Sequence, residues 1–206
     1  MGDERRDPAF AKGHLNPEDF NRLKRIEGHN HARALNWACF HNRPFLKSEC
    51  ACEWLVEAIE KARERFDFHV WAWCFMPTHA HLLVFAKPAR LGGGPLAPVI
   101  QAIKQSVSRK AVAWARKRAP SKLGLMRDDS PSGEIVHRFW QRGGGYDRNL
   151  WSERAIWNEI DYIHSNPVEA GLCERDIDWP WSSAGPFKTR KPGPITLDWS
   201  KLPPRR

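Results

Sequence analysis

Residues 68–88 read FHVWAWCFMPTHAHLLVFAKP, two apolar runs broken at Pro77-Thr78. Their length and their aromatic and aliphatic content describe two consecutive strands, 68–77 and 80–88. The segments on either side limit how these strands can be used. RALNWACFHNRPF (33–45) has content suited to a preceding strand and ends at a turn signal. SECACEWLVEAIEKARERF (48–66) then reads as an amphipathic helix, with Ser48 placed to cap it, Glu49 in its first turn, and Leu55, Ile59 and Ala62 at helical spacing.

Beyond the two strands, ARLGGGP leads into a second helix from Pro95 to about Arg118. Residues 119–133 form a polar linker, and EIVHRFWQR (134–142) suggests a fourth strand before the run Gly143-Gly144-Gly145. A third helix starts at Ser152 and ends near SNPVEAGL, because Pro167 biases Asn166 out of the helical region. The order is β-α-β-β-α-β-α. Its first six elements match an α+β, ferredoxin-like (split βαβ) plan: one antiparallel sheet with helices on one face, to which the C-terminal helix is added. Residues 1–30 are expected as a polar N-terminal arm, 31–185 as the domain, and 186–206 as a basic tail.

The chain has 206 residues, enough for one sizeable core, and a formal net charge of +9, which points to a polyanionic partner. Its five cysteines include no CxxC pair, so neither a disulfide framework nor a zinc ribbon is indicated. Cys50 and Cys52 read as apolar helix residues. No apolar run approaches a membrane-spanning length and the polar start lacks a signal-peptide core, so no membrane partner and a cytoplasmic location are expected.

MPTHAHLLV (76–84) holds the first chemical signal. His79 and His81 alternate on a strand and so project from one face, either as packing or as part of a metal site. On the third helix, Ile156, Ile160 and Ile163 form the core stripe; Tyr162 lies off that stripe, and Asn166 sits at i+4 from it on the same side. A phenol, with a pKa of about 10, is a poor nucleophile at neutral pH. A divalent cation held by two imidazoles and an amide oxygen would make its attack on a phosphate feasible. The resulting phosphotyrosine ester conserves the bond energy, which suits strand transfer rather than hydrolysis. Tyr146, the only other tyrosine, follows three glycines and has no amide partner at helical spacing, so it ranks behind Tyr162. His164 is left as a DNA contact or a surface residue.

These residues also carry a resemblance. MPTHAHLLV resembles the His-hydrophobic-His (HUH) motif of single-tyrosine nucleases, with Ala80 in the middle. FWQRGGGYDRNLWSE, DYIHSNPVEAGL and WPWSSA, in that order, resemble the C-terminal half of the REP-associated tyrosine transposases, relatives of the transposases of the smallest single-strand insertion sequences. The resemblance spans roughly residues 30–185. It implies that His79, His81 and Asn166 hold Mg²⁺ or Mn²⁺ and that Tyr162 forms a 5′-phosphotyrosine intermediate on single-stranded DNA. It also implies, as substrate, a hairpin of the REP palindrome kind with a flanking single strand. Two departures stand out: a longer glycine run at 143–145, and Glu169 where an arginine is common.

Phosphate contacts are expected from Lys104, Arg109, Lys110, Arg116, Lys117, Arg118 and Arg142. Trp179 and Trp181 could stack on bases, although the core reading is preferred for both. The sequence therefore supports a metal-dependent single-strand DNA endonuclease and strand transferase. A non-catalytic DNA or RNA hairpin binder and a replication-initiator or relaxase-like nickase are the alternatives. Monomer and homodimer both stay open.

Overall fold

A computed structural model describes residues 32–86, 96–129 and 133–205. The arm 1–30, the glycine-rich loop 89–95 and the expected helix start at Pro95 lie outside these residues. A four-stranded antiparallel sheet runs in the order β2-β3-β1-β6, from β1 (Ala32–Ala38), β2 (Phe68–Phe75), β3 (His79–Ala86) and β6 (Tyr146–Leu150). With β6 as its fourth strand, this is the ferredoxin-like arrangement expected from the sequence, and β3 is central.

Successive side chains of a strand alternate between the two faces of the sheet. One face receives Leu35, Trp37, Val70, Trp73, Ala80, Leu82 and Val84, packed beneath α1 (Glu49–Phe66) and α2 (Ala97–Arg118). Helix α1 supplies Leu55, Ile59 and Ala62 as its spacing predicts. Val99, Ile103, Val107 and Ala111 do the same for α2. The other face receives Ala32, Ala34, Trp71, Leu83 and Leu150 beneath Ile156, Ile160 and Ile163 of the last long helix, α4 (Glu153–Glu169).

Three expectations are corrected. The fourth strand is not 134–142: β5 (Ile135–His137) pairs instead with β4 (Arg127–Asp129) in a separate two-stranded sheet. The supposed linker before it therefore contains a strand, preceded by a short helix, α3 (Pro120–Leu125). The strand that joins β1 is the polar YDRNL. It is held there by ion pairs: buried Arg33 binds Asp147 through two hydrogen bonds of 2.8 and 2.6 Å, and Arg148 pairs with Glu159 of α4. Gly145 makes the approach possible. It sits at φ +79°, and a Cβ there would lie 2.3 Å from the Asn36 carbonyl oxygen.

The second correction concerns Pro167, which lies inside α4 rather than ending it. Proline removes one backbone donor in the last turn. There the Asn166 side-chain amide donates to the Tyr162 carbonyl at 2.8 Å, and the Ser165 hydroxyl oxygen lies 3.2 Å from the same carbonyl oxygen. Ser152 caps the helix start as expected, accepting a hydrogen bond from the Ala155 N–H.

The third correction is the tail. Residues 186–205, with the end of α5 (Ala184–Thr189), lie along the core: Ile195 and Leu197 are buried, and Asp198 bonds Arg63 and His69. Its apolar anchors, Ile195 and Leu197, are few and lie among lysines, arginines and prolines, so the stretch resembles a basic tail. All five cysteines are unbridged thiols. Among the described residues, no helix is long and apolar enough to cross a membrane.

Candidate active site

Strand β3 and helix α4 meet at the end of the sheet where β3 begins. The turn at Pro77-Thr78 is closed by hydrogen bonds between Met76 and His79, which start β3 with the histidine pair on the α4 face. The two rings meet edge to face with centroids 4.8 Å apart. The Tyr162 ring stands at 90° to His81 at a centroid distance of 5.6 Å. One chain thus brings its own helix tyrosine to its own histidine pair.

Each imidazole has a defined hydrogen-bonding environment. His79 Nδ1 lies 2.9 Å from the Thr78 hydroxyl, so its Nε2 is the nitrogen that could face an ion. His81 is buried; desolvation first, and the neighbouring His79 second, push its pKa well below the ordinary value, while a hydrogen bond with Asn166 opposes them. Its ring is therefore neutral at physiological pH, the form a metal needs. His81 Nε2 is buried and makes no hydrogen bond among the described residues. An unsatisfied buried nitrogen is costly and calls for a partner. Asn166 is buried; its Nδ2 donates to the Tyr162 carbonyl, so Oδ1 is the acceptor in its hydrogen bond with His81 and keeps one further lone pair. Two imidazoles and an amide oxygen fit a divalent cation with positions left open for substrate. Among the described residues, no cluster of three or more His, Cys, Asp or Glu side chains offers an alternative.

His164, expected as a DNA contact or a surface residue, is not at the surface. It is buried, bonded at 2.8 Å to the Ser183 hydroxyl and set edge-on to Phe187, and burial pushes its pKa down to about 4. The core reading of the two tryptophans holds: Trp181 stacks on Phe75, and Trp179 donates to the Phe75 carbonyl. Glu169 accepts from Ser165.

The expected phosphate contacts lie on the opposite side of the sheet. Lys104, Arg109 and Arg142 line an open cleft of about 780 Å³ between α2 and residues 137–144. Lys104 donates to the Gln141 and Gly143 carbonyls, and burial, with Arg138 nearby, lowers its pKa to about 8. Arg138 also lines the cleft and no carboxylate does; Asp128, just outside, is shared by Arg138 and Arg142. Lys110 is paired with Glu57, and Arg116, Lys117 and Arg118 are exposed at the far end of α2. The sequence reading missed Asn36, whose place on the α4 face beside His81 follows from the register. A lone amide within the apolar ALNWA was the available signal.

Fold and constellation define a class: a ferredoxin-like domain in which a His-x-His strand faces a tyrosine on the helix that follows the last strand of the sheet. In sequence, the chain is similar to a Haemophilus influenzae protein that carries the name REP-associated tyrosine transposase, 29% identical over 126 residues. The match covers 61% of this chain and 64% of the relative. In fold, it is similar to a REP-associated tyrosine transposase solved bound to a REP hairpin, with a TM-score of 0.62 at 16% identity over 89% of this chain and 97% of that one. No family model matches the chain. The resemblance to REP-associated tyrosine transposases is thus met twice, in sequence and in fold.

Proposed function

We propose that the chain is a transposase-like, metal-dependent single-strand DNA endonuclease and strand transferase of the HUH tyrosine type, acting beside DNA hairpins. The observation that carries this reading is the Tyr162 ring set edge-on against buried, neutral His81, with His79 and Asn166 at the same end of the sheet. Similarity to a relative bearing the transposase name, and to a fold solved with a REP hairpin, supports the hairpin as partner.

In this reading His79, His81 and Asn166 hold Mg²⁺ or Mn²⁺, which supplies polarisation of the scissile phosphate and charge stabilisation. The Tyr162 oxygen attacks phosphorus and forms a new P–O bond; the P–O3′ bond breaks. The phenolic proton goes to solvent, and the leaving 3′ oxygen takes one up as a hydroxyl. The 5′-phosphotyrosine ester then awaits a second 3′-hydroxyl, whose attack restores the phenol and joins strands without ATP. Helix α4 sets the Tyr162 ring edge-on against His81, so positioning and orientation would supply much of the rate. Lys104, Arg109 and Arg142 attract the DNA backbone without reading sequence; Lys110, Arg116, Lys117 and Arg118 add to the field along α2.

The test is incubation with Mn²⁺ and labelled single-stranded hairpin oligonucleotides, followed by denaturing electrophoresis. A covalent protein–DNA adduct is expected, lost in Tyr162→Phe and kept in Tyr146→Phe. An adduct that survives Tyr162→Phe overturns the assignment.

A further inference from the structure

Helix α4 carries both Tyr162 and Asn166, so its place on the sheet decides whether they meet the histidine pair. Its core stripe, Ile156, Ile160 and Ile163, rests on Ala32, Ala34, Leu83 and Leu150. Apolar contact is non-directional: it holds a helix down without fixing how it is turned or how far it slides. A slip of one residue moves a helix about 1.5 Å along its axis and turns it about 100°. That is enough to carry a phenol away from its partner ring, so a directional contact has to set the register.

At about 100° per residue, the stripe divides α4 into two flanks. His164, Trp157 and Asp161 lie on one, where they bond Ser183, Pro204 and Arg205 in turn, and Ser183 ties that side to Trp73 of β2. Asp161 and Arg205 are both more than half exposed, and such pairs contribute little. Glu159, Asn166 and Tyr162 lie on the other flank, and Glu159 pairs with Arg148 of β6. This carboxylate is 10% exposed and its guanidinium 43%, so the contact is charge-assisted, directional and sheltered on the helix side.

The pair stands one step from the site on both elements. Arg148 lies opposite Ala34, and Ala34 opposite Leu83; the next row on the same face is Tyr146, Asn36 and His81. Leu83 and His81 are two residues apart on β3, about 7 Å. Glu159 precedes Tyr162 by three residues, about 4.5 Å along the helix axis. Both steps run toward the end of the sheet where Tyr162 meets His81. Ala34 has only a methyl there, which leaves the arginine room to rise to α4. Without Arg148, a buried carboxylate would lose its guanidinium, a loss larger than the net worth of the pair. Helix α4 would then turn to bring that charge toward water.

We propose that the Arg148–Glu159 pair is the positioning contact that registers α4 on the sheet and sets Tyr162 and Asn166 against His81. Its consequence for rate rests on the reading of Tyr162 as nucleophile; the registration itself does not.

The experiment reads rate and geometry separately on the full chain. With Mn²⁺ and labelled single-stranded hairpin both saturating, Arg148→Ala should form adduct about 10- to 100-fold more slowly, while hairpin affinity by fluorescence anisotropy stays within about twofold. Glu159→Gln keeps the side-chain volume and an acceptor oxygen, and should lose less. The double variant should be no slower than Arg148→Ala, because the two changes remove one interaction. Without metal, the His81 ring resonance in histidine-labelled protein, identified by its absence in His81→Gln, should be displaced in Arg148→Ala and in Tyr162→Leu. An unchanged adduct rate or an unmoved resonance in Arg148→Ala overturns the proposal. So do losses that multiply in the double variant, or a fall in hairpin affinity that matches the fall in rate. If Arg148→Ala does not fold, Glu159→Gln decides by the same two readings. If the parent forms no adduct, the nucleophile reading falls and the His81 resonance alone decides the registration.

Discussion

His81 and Leu82 are neighbours in sequence and opposites in role. Leu82 points to the α1/α2 face, fully buried among Trp37, Leu55, Ile59 and Trp73. His81 points to the α4 face, just as buried, but with a ring nitrogen unsatisfied and Tyr162 against its edge. One side of the sheet is closed with apolar side chains. The other is closed along most of its length and opens at one end onto histidines, amides and phenols. The difference teaches that burial alone does not distinguish scaffold from site in this protein. What distinguishes them is the chemistry of the buried groups: Trp37 and Trp73 also bury an unsatisfied ring nitrogen on the scaffold face, but an indole N–H can only donate, whereas an imidazole nitrogen can offer a lone pair.

That contrast can be broken by exchanging the costs. His81→Leu should abolish adduct formation outright, yet leave stability unchanged or raise it by about 1 kcal/mol, because an unsatisfied buried nitrogen is removed. Leu82→Ala should do the reverse. Chemical denaturation should show a loss of ~2–5 kcal/mol for the cavity, and adduct yield per folded molecule should persist at low temperature. If His81→Leu unfolds the protein, the unsatisfied nitrogen is not the burden inferred here.

The next test uses pH. The folded pKa of His164 lies at about 4 against an ordinary 6.5, so between those values the unfolded chain binds a proton that the folded chain refuses. Stability should be full above pH 6.5 and fall as pH drops through that window, by about 3 kcal/mol in all. His81, shifted in the same direction, adds to the slope. His164→Gln should flatten the profile without removing the His81 part; an unchanged slope contradicts the assignment.

The smallest effect concerns the far side of the sheet. Replacing Arg109 with alanine should lower the slope of log affinity against log salt by about 1 without touching the Tyr162 chemistry. A loss of adduct at saturating DNA would show that the two sides are not separate.

The sequence made legible whatever follows a local period. The apolar stripes of α1 and α4, the β2–β3 hairpin and the alternation of His79 with His81 all lie within single elements or adjacent ones. Tyr162 and Asn166 share one helix side and could be paired by spacing. What was hidden depends on residues far apart in the chain. The strand β6 looks polar because Asp147 is satisfied by Arg33, 114 positions earlier, and nothing within YDRNL announces that partner. His164 looks like a surface residue because its hydroxyl partner, Ser183, comes 19 residues later. The segment after 185 looked like a tail for the same reason: Asp198 is read correctly only together with Arg63 and His69.

That last segment has a consequence for association. The outer edge of β2 is already taken: Phe75 N–H donates to Trp181, Ser183 N–H to Trp73, and Asp198 N–H to Val70. Exposed strand edges are where sheets grow, either by design or by aggregation. Among the described residues, β6 pairs only with β1. Among the described residues of the four-stranded sheet, the flank on which a further strand, whether from a second copy or from a misfolded neighbour, would add is therefore β6, the strand that begins at Tyr146.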